Sequence, residues 1–125
     1  MKKVKEEIVQ CMIGLERVDQ KVSARFLFPG SFVGFQGHFP DKKILPGVCQ
    51  VQCALSMVEQ ALREKVSMHE LVLAKYFAPV APNEEILCSC SDVGDAGEFV
   101  FKASITKGTA KVAELKMRVA VGKLK

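Results

Sequence analysis

At 125 residues, 49% of them hydrophobic and 26% charged, the chain has the length of one domain and an ordinary globular composition, neither disordered nor fibrous. Its net charge of +4 is mild, and no basic run carries interleaved aromatics, which sets nucleic acid aside as a partner. No apolar run approaches the ~20 residues a membrane helix needs, and the opening MKKVKEEIVQ mixes Lys with Glu instead of leading into a signal segment.

In chain order, the first regular pattern is an alternation. Val22, Ala24, Phe26 and Phe28 interleave with Lys21, Ser23 and Arg25, which predicts a half-buried strand. From Pro46 the period changes. Val48, Val51, Leu55, Val58, Leu62 and Val66 recur at three and four, and Cys49, Cys53, Ala54 and Met57 fill the other faces. A helix that is apolar nearly all round is a buried one, and this one turns polar only from Glu59 to Lys65. His69 then reads as a cation complementing the dipole at the helix end.

Four further strands follow, at 70–77, 84–93, 98–107 and 110–123, with turn signals at Pro79, Pro82, Gly94, Gly97 and Gly108. Connections this short require antiparallel pairing. The expected architecture is α+β, one domain over 1–125, in which a long antiparallel sheet packs on one buried helix. Tyr76, the only tyrosine, reads as packing.

Cysteines occur at 11, 49, 53, 88 and 90, with no CxxC pair and no zinc spacing to the two isolated histidines. They read as buried reduced thiols, which places the chain in the cytoplasm. No metal or organic cofactor is expected.

The run GHFPDKKILPGV carries the chemistry. It resembles the pattern G-H-F-P-x-x-P-x-x-P-G-V of the hot-dog-fold 3-hydroxyacyl-(acyl carrier protein) dehydratases, a family that includes dehydratase-like proteins of aryl-polyene and modified-fatty-acid pathways. YFAPVAPNEEI is similar to the family's later segment ending in P-V-x-P-G-D. The resemblance implies a hot-dog fold, a sheet wrapped around one central helix. It makes His38 the catalytic histidine and Gly47 the glycine whose backbone N–H holds the thioester carbonyl. Val48, Phe39 and Pro40 would shape the turn and the acyl path. It also implies a homodimer, or a higher or hetero-oligomer, in which the histidine of one subunit faces the helix of another. The substrate would be a thioester on acyl carrier protein or coenzyme A.

Helix physics supports the role of Gly47 independently, because Pro46 and Gly47 open the helix and its first N–H groups point outward at the positive dipole end. Without the surrounding run, His38 would read as a turn residue satisfied by backbone.

The departures from the family pattern are Lys43 for the first internal proline, Phe77 and Ala78 for a basic pair, and Asn83 and Glu84 for the glycine and aspartate of the later turn. The largest is Gln52, which stands where the family has its catalytic acid. Glutamine can position a hydroxyl or a water but cannot exchange a proton. Glu59, one heptad further along the same face, and Asp41 are the alternative acids in this chain. Three functions stay open: a dehydratase with Gln52 as positioner, a hot-dog acyl thioesterase, and a non-catalytic acyl-binding subunit paired with a homologue that donates the acid.

Overall fold

The computed structural model describes residues 2–36, 42–95 and 97–123. Two helices and six strands run in the order α1 (Lys2–Gln10), β1 (Met12–Val18), β2 (Lys21–Phe26), α2 (Gly47–Leu62), β3 (Glu64–Tyr76), β4 (Ile86–Asp92), β5 (Phe99–Lys107) and β6 (Ala110–Lys123). All strand pairs are antiparallel and form one sheet in the order β1-β2-β4-β5-β6-β3. The sheet holds α2 against its inner face, the α+β hot-dog arrangement that the residue patterns and the resemblance both imply.

Packing follows from alternation. Ile86, Cys88 and Cys90 of β4, Phe101, Ala103 and Ile105 of β5, and Leu115 and Met117 of β6 point inward and are buried. They meet Cys53, Ala54 and Met57 on α2, none of which retains any exposure. The cysteines serve as small apolar residues: all five are free thiols, and four are buried. Burial, aided by the charge of Asp92, pushes the Cys90 thiol up to about 12, and burial likewise raises Cys53 and Cys88.

The sequence pattern runs α2 too far. Arg63 adopts the left-handed conformation at φ 56° and its N–H closes on the carbonyl of Glu59, so the helix stops at Leu62. The chain then reverses directly into β3, whose first turn-side N–H, from Val66, donates to the Glu59 carboxylate at 2.9 Å. Val66 is therefore a strand residue. His69 is an exposed residue of β3, and the helix-dipole role expected for it does not apply.

Two elements went unseen in the sequence. In α1, Val4 and Ile8 share a face, and Ile8 is fully buried against the core. In β1, the alternation is interrupted by Gly14 at φ +64° within a register shift between Ile13 and Glu16. Glycine is what that conformation asks for.

Candidate functional site

The start of α2 is held in place by the loop segments on either side of it. The backbone N–H of Leu45 donates to the carbonyl of Val80 at 2.8 Å, and Lys43 Nζ donates to the carbonyl of Gly30 at 3.0 Å. Pro46, at φ −63° and ψ 151°, is the N-cap, and no side chain caps the helix. The first turn contains no acidic residue. Within the helix geometry, the N–H groups of Cys49 and Gln50 close on the Pro46 carbonyl, whereas those of Gly47 and Val48 precede any intrahelical acceptor. Those two donors, at the positive end of a 16-residue helix, suit an anionic or partly anionic oxygen.

A cavity of about 450 Å³ opens at this point, lined by Leu45, Pro46, Gly47, Gln50, Tyr76 and Phe77 with their neighbours. Most of its wall is apolar. The Tyr76 ring lies so close to Gly47 that a Cβ on residue 47 would fall 2.7 Å from the phenolic oxygen. A larger residue here would push the half-exposed Tyr76 ring aside, the backbone conformation itself being ordinary. Partial burial raises the pKa of the Tyr76 hydroxyl, which stays protonated near neutrality. At the cavity's edge, Lys111 Nζ lies 5.3 Å above the Phe77 ring. Positive charge is thus present beside Phe77, where the family's basic pair is missing from the sequence.

The residues singled out from the sequence are distributed as follows. Gly47 is the first residue of α2 and lines the cavity. Val48 is exposed on the outer side of the helix. Gln52 is half-buried, and its Nε2 donates to Ser56 Oγ at 2.9 Å one turn on. At 100° per residue, Gln52 and Gln50 project to nearly opposite sides of α2, so Gln52 does not share the Gly47 cavity. His38, Phe39 and Pro40, together with the alternative acid Asp41, lie outside the described residues.

Glu59 is committed elsewhere. Its carboxylate pairs with Lys5 at 3.3 Å and accepts the Val66 N–H at 2.9 Å, holding the far end of α2 to α1 and β3. That engagement removes it as a substitute acid. A second cavity, of about 310 Å³, lies at this far end beside Val58, Leu62 and Phe101. Its Asp92 accepts the N–H groups of Gly94 and Val100 and fastens the β4–β5 turn.

Sequence reasoning missed Gln50. It is 3% exposed, and its Oε1 has no hydrogen-bond partner among the described residues. An unsatisfied buried acceptor costs about 1–3 kcal/mol, so such a group calls for an explanation. The available signal was the second glutamine, beside Gln52, in the apolar first half of a buried helix, on the same face as Gly47.

A family model described as ApeI-like, ApeI dehydratase, matches residues 15–116. None of the curated proteins matches the chain. Among solved structures, the dehydratase heterocomplex ApeI:P from Xenorhabdus doucetiae superimposes with a TM-score of 0.73 at 19% identity, covering 87% of this chain and 96% of that one. A mutant thioesterase from Pseudomonas aeruginosa superimposes with a TM-score of 0.65 at 15% identity, covering 90% of this chain and 82% of that one. At these identities the likeness is one of fold.

Proposed function

This chain belongs to the ApeI-like dehydratase family, and on that footing we propose that it acts on 3-hydroxyacyl thioesters carried by acyl carrier protein or coenzyme A. Its place would be the cytoplasm, in fatty-acid or related lipid and polyene synthesis. The observation that carries the reading is the uncapped start of α2, with Gly47 at its first position, opening on a mostly apolar cavity. A thioester carbonyl gaining enolate character needs fixed donors in a place that excludes water.

In the reaction, a base takes a proton from C2 and the electrons of that C–H bond form the C2–C3 double bond. The C3–O bond breaks, and the hydroxyl leaves as water. His38 is the base, Gly47 N–H holds the carbonyl, and Val48, Phe39 and Pro40 line the acyl path. With its nitrogen engaged by Ser56, the Gln52 amide has its oxygen left to accept the substrate's hydroxyl hydrogen and orient it; since Gln52 lies outside the Gly47 cavity, the acyl chain must leave the carbonyl toward the Val48 side of α2 to bring its hydroxyl there. His38 then gives the proton it took from C2 to the departing oxygen, so that one proton and one hydroxide make the water released. The reaction so drawn needs no metal or organic cofactor.

A homodimer belongs to this reading. Strand β3 is an edge of the sheet, and Met68, Leu71 and Val72 along it are exposed. A second reading is favoured by Gln52 itself together with the heterocomplex of the Xenorhabdus relative. In it, this chain is an acyl-binding subunit and a homologous partner donates the acid.

One assay separates the readings. The purified protein is incubated with 3-hydroxyacyl and saturated acyl thioesters while enoyl formation and free thiol are followed together. Enoyl product that disappears in His38→Ala is expected. Thiol release without enoyl product would make the chain a thioesterase, and binding without either product would make it the acyl-binding subunit.

A further inference from the structure

The cavity at the start of α2 contains polar chemistry that holding a carbonyl on Gly47 does not use. Gln50, three residues past Gly47 on the same face, lines the cavity and is 3% exposed. Its Oε1 is the one buried side-chain polar atom without a hydrogen-bond partner among the described residues. The other end of the amide identifies which atom is the oxygen: Nε2 faces the Leu45 carbonyl at 3.5 Å, and a reversed amide would set two acceptors against each other. That contact is long for an N–H···O bond, so the amide can turn about its last, broad torsion toward a ligand.

The same cavity holds the Tyr76 hydroxyl, packed against Gly47, between the apolar walls of Leu45, Pro46 and Phe77. An O–H donor and an amide oxygen acceptor in one apolar cavity match a ligand group that carries an acceptor on one edge and a donor on the opposite edge. A secondary amide is such a group. The pantetheine arm that presents acyl thioesters contains secondary amides, whether the arm belongs to coenzyme A or to a carrier protein.

We propose that Gln50 and Tyr76 are positioning residues that hold an amide of the thioester's pantetheine arm. Gln50 Oε1 accepts from the amide N–H, and the Tyr76 hydroxyl donates to the amide carbonyl. The proposal rests on the thioester reading above and adds the part of the substrate that sets its register. Neither residue touches the reacting carbons, so their contribution lies in binding and in KM.

The test uses the full chain, with Gln50→Leu and Gln50→Met as two fillings of the same volume and Tyr76→Phe as the loss of one hydroxyl. Binding of free pantetheine, of coenzyme A and of a pantetheinylated carrier protein is measured by calorimetry. KM and kcat are measured on two 3-hydroxyacyl thioesters of equal length, one of N-acetylcysteamine and one of an amide-free alkanethiol. Each variant is expected to weaken pantetheine binding, and to raise KM for the amide-bearing thioester, by about tenfold, the equivalent of one net hydrogen bond. The KM of the amide-free thioester should not change.

An equal response of both thioesters would assign Gln50 a structural role and overturn the proposal, as would binding of pantetheine that no variant weakens. If neither enoyl nor thiol product forms but Gln50→Leu still weakens pantetheine binding, the proposed reaction falls and this inference stands. Dependence on Gln50 with coenzyme A alone, or with the carrier protein alone, would support the proposal and identify the source of the arm.

Discussion

Gln50 and Gln52 lie two positions apart on α2, and their amides meet different neighbours: one faces the Leu45 carbonyl, the other the Ser56 hydroxyl. At position 52 the missing function is proton exchange. A carboxyl placed there in Gln52→Glu would be half-buried, and desolvation would hold its pKa up and keep it protonated near neutrality. Dehydration should then rise by about 10²–10⁴-fold, the usual contribution of a general acid, in the enoyl-formation assay. An unchanged rate would count against the placement of His38 opposite this face.

At position 47 the constraint is contact. Gly47→Ala sets a methyl 2.7 Å from the tip of the half-exposed Tyr76 ring, which can swing aside, so the loss in urea unfolding should stay below about 1 kcal/mol while thioester binding falls. Tyr76→Ala in the same chain should recover most of that loss of space while leaving thioester binding impaired.

The buried thiols set a pH dependence whose sign is fixed. An unfolded cysteine ionises near about pH 8.5. In the folded chain Cys90 is held protonated up to about 12, and burial raises Cys53 and Cys88 in the same direction. Above about pH 8.5 the unfolded state therefore releases protons that the folded state keeps. The stability that these groups contribute is complete below that pH and is lost as the pH rises toward their folded values. Each such group steepens the loss by at most about 1.4 kcal/mol per pH unit. Urea midpoints measured at pH 8, 9 and 10 should fall more steeply for the parent chain than for Cys90→Ala.

At the level of elements, what the sequence disclosed depended on how regular each pattern was. The strand 110–123 is legible because Ala113, Leu115, Met117 and Val119 alternate with Glu114, Lys116 and Arg118 and Gly108 marks the turn before it, the pattern slipping once where Val112 and Ala113 are both buried. The start of α2 was legible from Pro46 and Gly47. Its end was not, because Val66 falls on the helical period by coincidence and the stop depends on one arginine in a left-handed conformation. Nothing in local propensity announces Arg63. The true boundary is secured at a distance, by Glu59 reaching both Lys5 and the Val66 N–H. Glu59→Ala should lower stability by about 1–3 kcal/mol, since it leaves that N–H unpaired. Ile8→Ala should cost about 2–4 kcal/mol by opening a cavity between α1 and the core. Both are measurable by urea denaturation.

Over the whole molecule, the fold was legible, and so was the placing of Gly47 at the start of α2. Period and turn spacing are properties of single segments, and they sufficed for a sheet around a helix. The Gln50–Tyr76 pair joins the first turn of α2 to the last residue of β3, and no sequence spacing connects those positions. Strand β3 is also where the single chain is least complete. It pairs with β6 from Glu64 to Tyr76 and has no strand on its other side among the described residues, while Met68, Leu71 and Val72 remain exposed. An unprotected edge of this length and apolarity invites pairing with another chain. Sedimentation should show an assembly larger than the single chain, and Val72→Lys should shift it toward the monomer with little change in secondary structure by circular dichroism.

Helix α1 precedes the span that the family model covers, which begins at residue 15. Yet Glu7 of α1 accepts the Val33 N–H at 3.0 Å, at the head of the short 3-10 turn Val33–Phe35 that leads toward the histidine segment. The first ten residues thus act as a bracket for the turn that precedes His38 in the sequence. An affinity tag or a shortened start that disturbs α1 would loosen both the core at Ile8 and the turn that begins at Val33. Relatives differing only in this opening stretch would then differ in how firmly that turn is held, with every residue of the recognised motif unchanged.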